Sequence, residues 1–160
     1  MNVTVREATL EDAQLIAELT RACWAKRVAL SSSGHRETAV RVLQHLQEGG
    51  GFVMLDGDEP IGSVRWLPLE GQGDIWEILR MGVLPRCSGR HLSERLLEAV
   101  IHRALDAGVD ELRLAVRSDQ ERLVDLYSTY GFVLAPELEY THANPLEPPP
   151  TVMRRALDHH

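Results

Sequence analysis

Between the apolar run that ends at Leu84 and the helically spaced leucines that follow lies Pro85-Arg86-Cys87-Ser88-Gly89-Arg90-His91-Leu92-Ser93. A proline there stops a strand, and a helix that follows at once leaves its first backbone N–H groups unpaired while its dipole adds positive potential. Arg86 and Arg90 add charge beside the turn. A pyrophosphate suits such a site. The same residues also describe an ordinary strand-to-helix connection with solvated arginines. Gly49-Gly50-Gly51 has the opposite order, ending a helix and preceding a strand, and reads as a turn rather than a phosphate cradle. Cys23 and Cys87 are too few for a disulfide framework and too far apart for a CxxC pattern, and neither has a partnered His in a nucleophile motif. The seven His are scattered without ligand spacing, so no metal is expected.

These residues need elements to hold them. Val3, Val5 and Ala8 alternate, then Thr9-Leu10-Glu11-Asp12 supplies an N-cap with an acid at N3, and Ala13 to Cys23 keep helical spacing. Ser31-Ser32-Ser33-Gly34 interrupts the pattern before a second helix through Val40, Leu43 and Leu46. Phe52 to Leu55 and Ile61 to Leu67 are strands joined across Asp56-Gly57, a hairpin signal. A loop from Pro68 to Gly73 leads to a strand from Ile75 to Leu84. Ser88 to Ala107 is the longest helix, closed at Gly108 where a left-handed cap is cheapest. Glu111 to Val116 is a strand, and Ser118-Asp119-Gln120-Glu121 is a capping box that opens a helix ending at Gly131. Phe132-Val133-Leu134 returns to strand. Pro145 and Pro148-Pro149-Pro150 make an extended loop, and Thr151 to Leu157 is a last strand.

Composition bounds the function. A length of 160 residues favours one domain, taken here as residues 1–158, with His159 and His160 either the native end or a tag remnant. The net charge of -7 argues against a nucleic-acid partner, whose binding needs cationic contacts, and mildly favours a cationic substrate. The longest apolar runs are far too short for a membrane span, and the N-terminus lacks the basic and apolar regions of a secretory signal, so a cytoplasmic location is expected.

Three segments carry a family resemblance. Met81-Gly82-Val83-Leu84-Pro85-Arg86-Cys87-Ser88-Gly89-Arg90-His91-Leu92-Ser93, continued by Leu96-Leu97-Glu98-Ala99, resembles the acetyl-CoA-binding motif of the GNAT N-acetyltransferase superfamily. Leu126-Tyr127-Ser128-Thr129-Tyr130-Gly131-Phe132 is similar to its Leu-Tyr-x-x-x-Gly-Phe segment, and Arg6-Glu7-Ala8-Thr9-x-Glu11-Asp12-Ala13 to the way many members begin. The resemblance implies an α+β (mixed α/β) fold, with a mostly antiparallel twisted sheet of about seven strands flanked by about four helices and splayed central strands at the cofactor site. It implies an acetyl-CoA-dependent N-acetyltransferase working by direct attack in a ternary complex. Glu77, at the spacing of the histone acetyltransferase branch, would be the general base, and Tyr127 the acid that protonates the leaving thiolate. Backbone groups of Met81, Gly82 and Val83 would bind pantetheine and polarise the thioester carbonyl. Arg86, Ser88, Gly89, Arg90, His91, Leu92 and Ser93 would hold the phosphates, and Gln120 would reach the pantetheine arm by its amide.

Only Gly89 survives of the family's glycines in this loop. His91 puts a large side chain where close backbone approach favours Gly, and either narrows the site or points outward while its ring and the Ser88 and Ser93 hydroxyls donate further hydrogen bonds. Gly82 inside a strand suggests a bulge or close approach that would open the strand toward the cofactor. Trp24, Trp66, Trp76 and Tyr140 either line an acceptor pocket or fill the core. His35, Arg36, Glu37, His142 and the proline loop are also candidates for acceptor contact. A degenerate member that binds acyl-CoA without turnover is the alternative, and transfer to a non-amine acceptor a third. The last strand and the proline loop could pair between protomers, which makes a homodimer one expectation.

Overall fold

Strand pairing begins where the sequence turns most tightly. In the computed structural model, which describes residues 1–25, 36–69, 71–117, 120–141 and 148–157, strands β2 (Gly50–Asp56) and β3 (Glu59–Leu69) form a hairpin across Gly57, whose φ of 60° suits glycine. β1 (Val3–Glu7) pairs with β2 on one side, and β4 (Gln72–Val83) pairs with β3 on the other, all antiparallel. The chain then crosses through a helix to β5 (Glu111–Val116), which lies parallel to β4, as a crossover requires. β6 (Val133–Leu134) and β7 (Thr151–Ala156) complete a seven-stranded sheet of order β1-β2-β3-β4-β5-β7-β6.

Helices cover both faces. On one, α1 (Ala13–Trp24) and α2 (Ala39–Glu48) pack Ile16, Ala17, Val42 and Leu46 against Val53. On the other, α3 (Leu92–Asp106) turns a stripe of Leu96, Leu97, Val100, Ile101 and Ala104 onto Ile61, Ile78 and Leu112. Residues 61–67 of β3 are buried without alternation because both sides of the strand are covered. α3 closes as the sequence predicts: Gly108 has φ 76° and the Val109 N–H donates to the Ala104 carbonyl at 3.0 Å. The short α4 (Leu123–Thr129) packs toward β6.

The expected cap before α1 is realised and enlarged. The Asp12 carboxylate accepts the Thr9 N–H at 2.8 Å and both Arg6 guanidinium nitrogens at 2.8 and 2.9 Å, tying the end of β1 to the start of α1. Arg6 beside it pulls the Asp12 carboxyl down to about 2.

Two boundaries differ from the sequence reading. The long helix starts at Leu92 rather than Ser88, because Pro85–Cys87 forms a 3₁₀ turn and Gly89 (φ 80°) and His91 (φ 58°) adopt left-handed conformations that cannot continue a helix. The expected loop from Pro68 to Gly73 is shorter than that reading: β3 runs on through Leu69 and β4 begins at Gln72, with Pro68 facing Trp76, Leu69 facing Gln72 and a register shift between the two pairs, while Gly71 (φ 76°) lies in the turn. Ser118 and Asp119 of the expected capping box lie outside the described residues, as do Ser31-Ser32-Ser33-Gly34, His35, His142, Pro145, His159 and His160. Among the described residues no helix is long and apolar enough to cross a membrane, and no group of three or more His, Cys, Asp or Glu could hold a metal ion.

Candidate active site

β4 and β5 part company midway. Their register covers only Ile75↔Glu111, Trp76↔Leu112 and Glu77↔Arg113, after which β5 continues with β7 and β4 continues with β3 to Gly62↔Val83. The cause lies on β4. Arg80 has φ 55°, and the pairing with β3 shifts between Ser63 and Arg65, so an extra residue bends β4 away from its parallel neighbour. The splay anticipated from Gly82 is present, with its irregularity centred two residues earlier.

A cavity of about 130 Å³ opens in this fork. Its floor is Met81, Gly82 and Val83 of β4, and one wall is Leu123, Leu126 and Tyr127 of α4. Cys23 and Trp24 at the end of α1 close one side, and Ser93, Arg117, Gln120 and Arg122 contribute hydroxyl, guanidinium and amide groups. Seven residues singled out in the sequence thus meet here: Trp24, Met81, Gly82, Val83, Ser93, Gln120 and Tyr127. Leu123 and Leu126 were legible, since they share the helical stripe of Tyr127. Cys23, Arg117 and Arg122 were not, because nothing local marks the end of a helix or strand as the rim of a cavity.

Tyr127 is 8% exposed, with its ring edge-on to Phe132 at 6.2 Å. Burial pushes its phenol up to about 12, so it stays protonated at neutral pH. Gly82 meets the ring of Trp24 at closest approach, where a Cβ would lie 2.8 Å from Cζ3.

The loop before α3 makes mostly local and surface contacts. Arg86 pairs with Glu59 at 2.5 Å on the surface, and the exposed Arg90 points to the Met1 sulfur at 3.7 Å. The Ser88 hydroxyl donates to the Pro85 carbonyl at 2.9 Å. The His91 side chain is 81% exposed and stands 3.3 Å from Glu94, so of the two orientations considered it takes the outward one. The Leu92 side chain is buried in the core cluster. Of the segment 85–93, Ser93 lines the cavity.

Glu77 does not line it. It is 1% exposed, and its carboxylate accepts the Thr141 N–H at 3.2 Å and the Thr141 hydroxyl. The Tyr140 hydroxyl donates to the Ile78 carbonyl at 2.9 Å, so residues 140–141 lie over β4 where Glu77 sits. Burial, reinforced by the Glu77 charge, raises the Tyr140 phenol above its usual range. Trp66 is a correction to the acceptor-pocket expectation. It stacks on Trp76 at 5.0 Å and 13° and tilts against Phe52, filling the core beneath α3. Rings this large on the covered face of a central strand gain more by stacking than by reaching solvent.

Sequence reasoning missed a buried charge network on the opposite face. Arg65 is fully buried, and its guanidinium pairs with Glu37, which also accepts from Arg80 Nε at 3.1 Å. Arg65 Nη1 lies 3.0 Å from His45 Nδ1, and a guanidinium only donates, so Nδ1 is the acceptor and the ring proton sits on Nε2. Burial drives the Glu37 carboxyl up, yet Arg65 and Arg80 outweigh it and hold it below its ordinary value. Glu37 therefore serves this network, while neighbouring Arg36 is exposed.

Comparison with known proteins agrees with this architecture. PaiA N-acetyltransferase from Thermoplasma acidophilum, solved in complex with coenzyme A, is 17% identical with a TM-score of 0.76, covering 98% of this chain and 100% of that one. YncA from Salmonella typhimurium, solved with its cofactor acetyl-CoA, is 18% identical with a TM-score of 0.77, covering 100% of this chain and 96% of that one. A GNAT-family acetyltransferase from Streptococcus pneumoniae is 18% identical with a TM-score of 0.71, covering 98% and 100%. At such identities the likeness is one of fold. No curated protein matched the sequence. The model of the acetyltransferase (GNAT) family matches residues 14–132, well over half of the chain, and the chain belongs to that family.

Proposed function

We propose that this protein transfers an acetyl group from acetyl-CoA to a primary amine, by direct attack in a ternary complex. The observation that carries the reading is the fork between β4 and β5, which brings the backbone of Met81–Val83 and the Tyr127 side chain to one cavity. The donor set suits a CoA thioester: Ser93, Arg117, Gln120 and Arg122 offer hydrogen bonds and positive charge to its phosphates and amides, and Trp24, Leu126 and Cys23 an apolar end. PaiA and YncA, solved with coenzyme A and acetyl-CoA, support the same ligand class.

Acetyl-CoA supplies the activated acyl group. A backbone N–H at Val83 or its neighbour polarises the carbonyl, aimed at the oxygen where negative charge develops. The Tyr127 phenol donates a hydrogen bond to the departing sulfur. Glu77 takes up the amine proton through an intervening water, because Thr141 covers its carboxylate.

Calorimetric titration with acetyl-CoA and CoA, with dephospho-CoA as control, tests the reading. Saturable binding also raises the melting temperature as RT ln(1 + [L]/Kd) requires. Thiol release with a panel of small amines, peptides and aminoglycosides then separates an enzyme from a binding module. Binding without thiol release from any acceptor would assign the module, and no binding at millimolar ligand would remove both readings.

A further inference from the structure

The last turn of α1 presses a ring onto β4 at Gly82, a position without a side chain. A Cβ on Gly82 would lie 2.8 Å from Trp24 Cζ3, 3.2 Å from Cη2 and 3.5 Å from the Cys23 Cβ, so the indole edge fills the space a side chain at 82 would take. Trp24 and Gly82 line the same cavity as Tyr127. That cavity has two chemically distinct ends. β4 runs on from Val83 through the Pro85–Cys87 turn into α3, which adds Ser93 to a lining whose cations are Arg117 and Arg122. Upstream, at Gly82, the lining turns to the indole and the Cys23 side chain. An acyl-CoA laid along β4 with its phosphates toward Ser93 and the arginines carries its acyl group to the Trp24 end.

We infer that Trp24 is a specificity-determining residue that limits the acyl chain the protein accepts. Resting on the transferase reading above, the indole acts as the end wall of the acyl pocket, with Gly82 leaving the room into which its ring edge packs on β4. Acetyl fits against this wall, and each further methylene must displace a ring already packed on backbone, which is costly. Trp24 is only half-buried, at the end of a helix whose core contacts come from Ile16, Ala17 and Leu19, so trimming it leaves those contacts in place.

The test is calorimetric titration of the wild type, Trp24→Ala and Trp24→Leu with acetyl-, propanoyl- and butanoyl-CoA. The readout is the ratio of dissociation constants within one protein, from which any loss of folded fraction cancels. The wild type should bind butanoyl-CoA about tenfold more weakly than acetyl-CoA. In Trp24→Ala each added methylene should gain up to about fourfold, bringing butanoyl-CoA to about 15-fold tighter than acetyl-CoA, with Trp24→Leu between the two. Ratios that stay at the wild-type value in both variants overturn the inference while leaving acetyl-CoA binding, and the transferase reading, intact. Failure of the wild type to bind acetyl-CoA at all overturns both.

Discussion

Replacing Tyr127 with Phe removes one oxygen from the cavity wall and keeps the ring, its burial and its edge contact with Phe132. Burial pushes the phenol up to about 12, whereas an ordinary alkyl thiol titrates near 8.5. Full proton transfer from this phenol to a departing thiolate is therefore uphill by roughly 3.5 pH units, or about 5 kcal/mol. A hydrogen bond to the developing charge avoids that climb and is worth about 1.5–3 kcal/mol. Tyr127→Phe should lower kcat about 10- to 150-fold and change KM for acetyl-CoA less than about twofold. The assay is steady-state thiol release at saturating acceptor, from pH 6 to 10. Because the phenol stays protonated across that range, the ratio of wild-type to variant kcat should be flat. A ratio near one would remove Tyr127 from the mechanism. A ratio of about 10⁴ would refute the energetic argument in favour of full proton donation, and a ratio that collapses near pH 9 would refute a phenol raised by burial.

Glu37→Gln leaves the fully buried Arg65 without its carboxylate, a change that costs about 3–5 kcal/mol. Thermal denaturation should show a fall of roughly 6–20 °C, partly restored by adding Arg65→Met; simple additivity of the two losses would contradict the pairing. Asp12 has a folded-state pKa of about 2 against an ordinary 3.8, so its contribution is complete above about pH 4 and disappears as pH falls through 2. With Arg6 partly exposed, it amounts to about 2 kcal/mol at most. Urea unfolding at pH 7, 4 and 2 should show this loss in the wild type and a shallower one in Asp12→Asn; identical slopes would refute it. His91 holds a left-handed conformation with an exposed ring, and glycine takes that conformation without strain, so His91→Gly should stabilise by about 0.5–1 kcal/mol and raise the melting temperature by about 1–4 °C. A fall would mean that the Glu94 contact outweighs the strain.

Much of the site was legible because its signals are local. Gly82 inside a strand and Tyr127 on an apolar helical stripe are features visible without coordinates, and both line the cavity. The loop before α3 was legible as a turn but not in detail. Arg86 stands beside Glu59 at the surface, a partner distant in sequence that no reading of the loop alone would supply. Trp66 could line a pocket or fill a core with equal local cause, and its stacking on Trp76 across the β3–β4 pairing settles the matter.

Read alone, the chain determines its element order, the hairpin at Gly57, the closure of α3 at Gly108 and the cap at Asp12, because periodicity, turn chemistry and capping depend on residues a few positions apart. Only the tertiary structure decides that Arg65 is an interior cation, since its partners Glu37 and His45, and the Arg80 that shares Glu37, come from separate parts of the chain and a lone arginine in a strand carries no mark of burial. The same holds for the fork between β4 and β5 and the closing of its end by Trp24. Where two strands stop pairing, and which ring then fills the gap, depends on distant segments meeting in space, which no local pattern records.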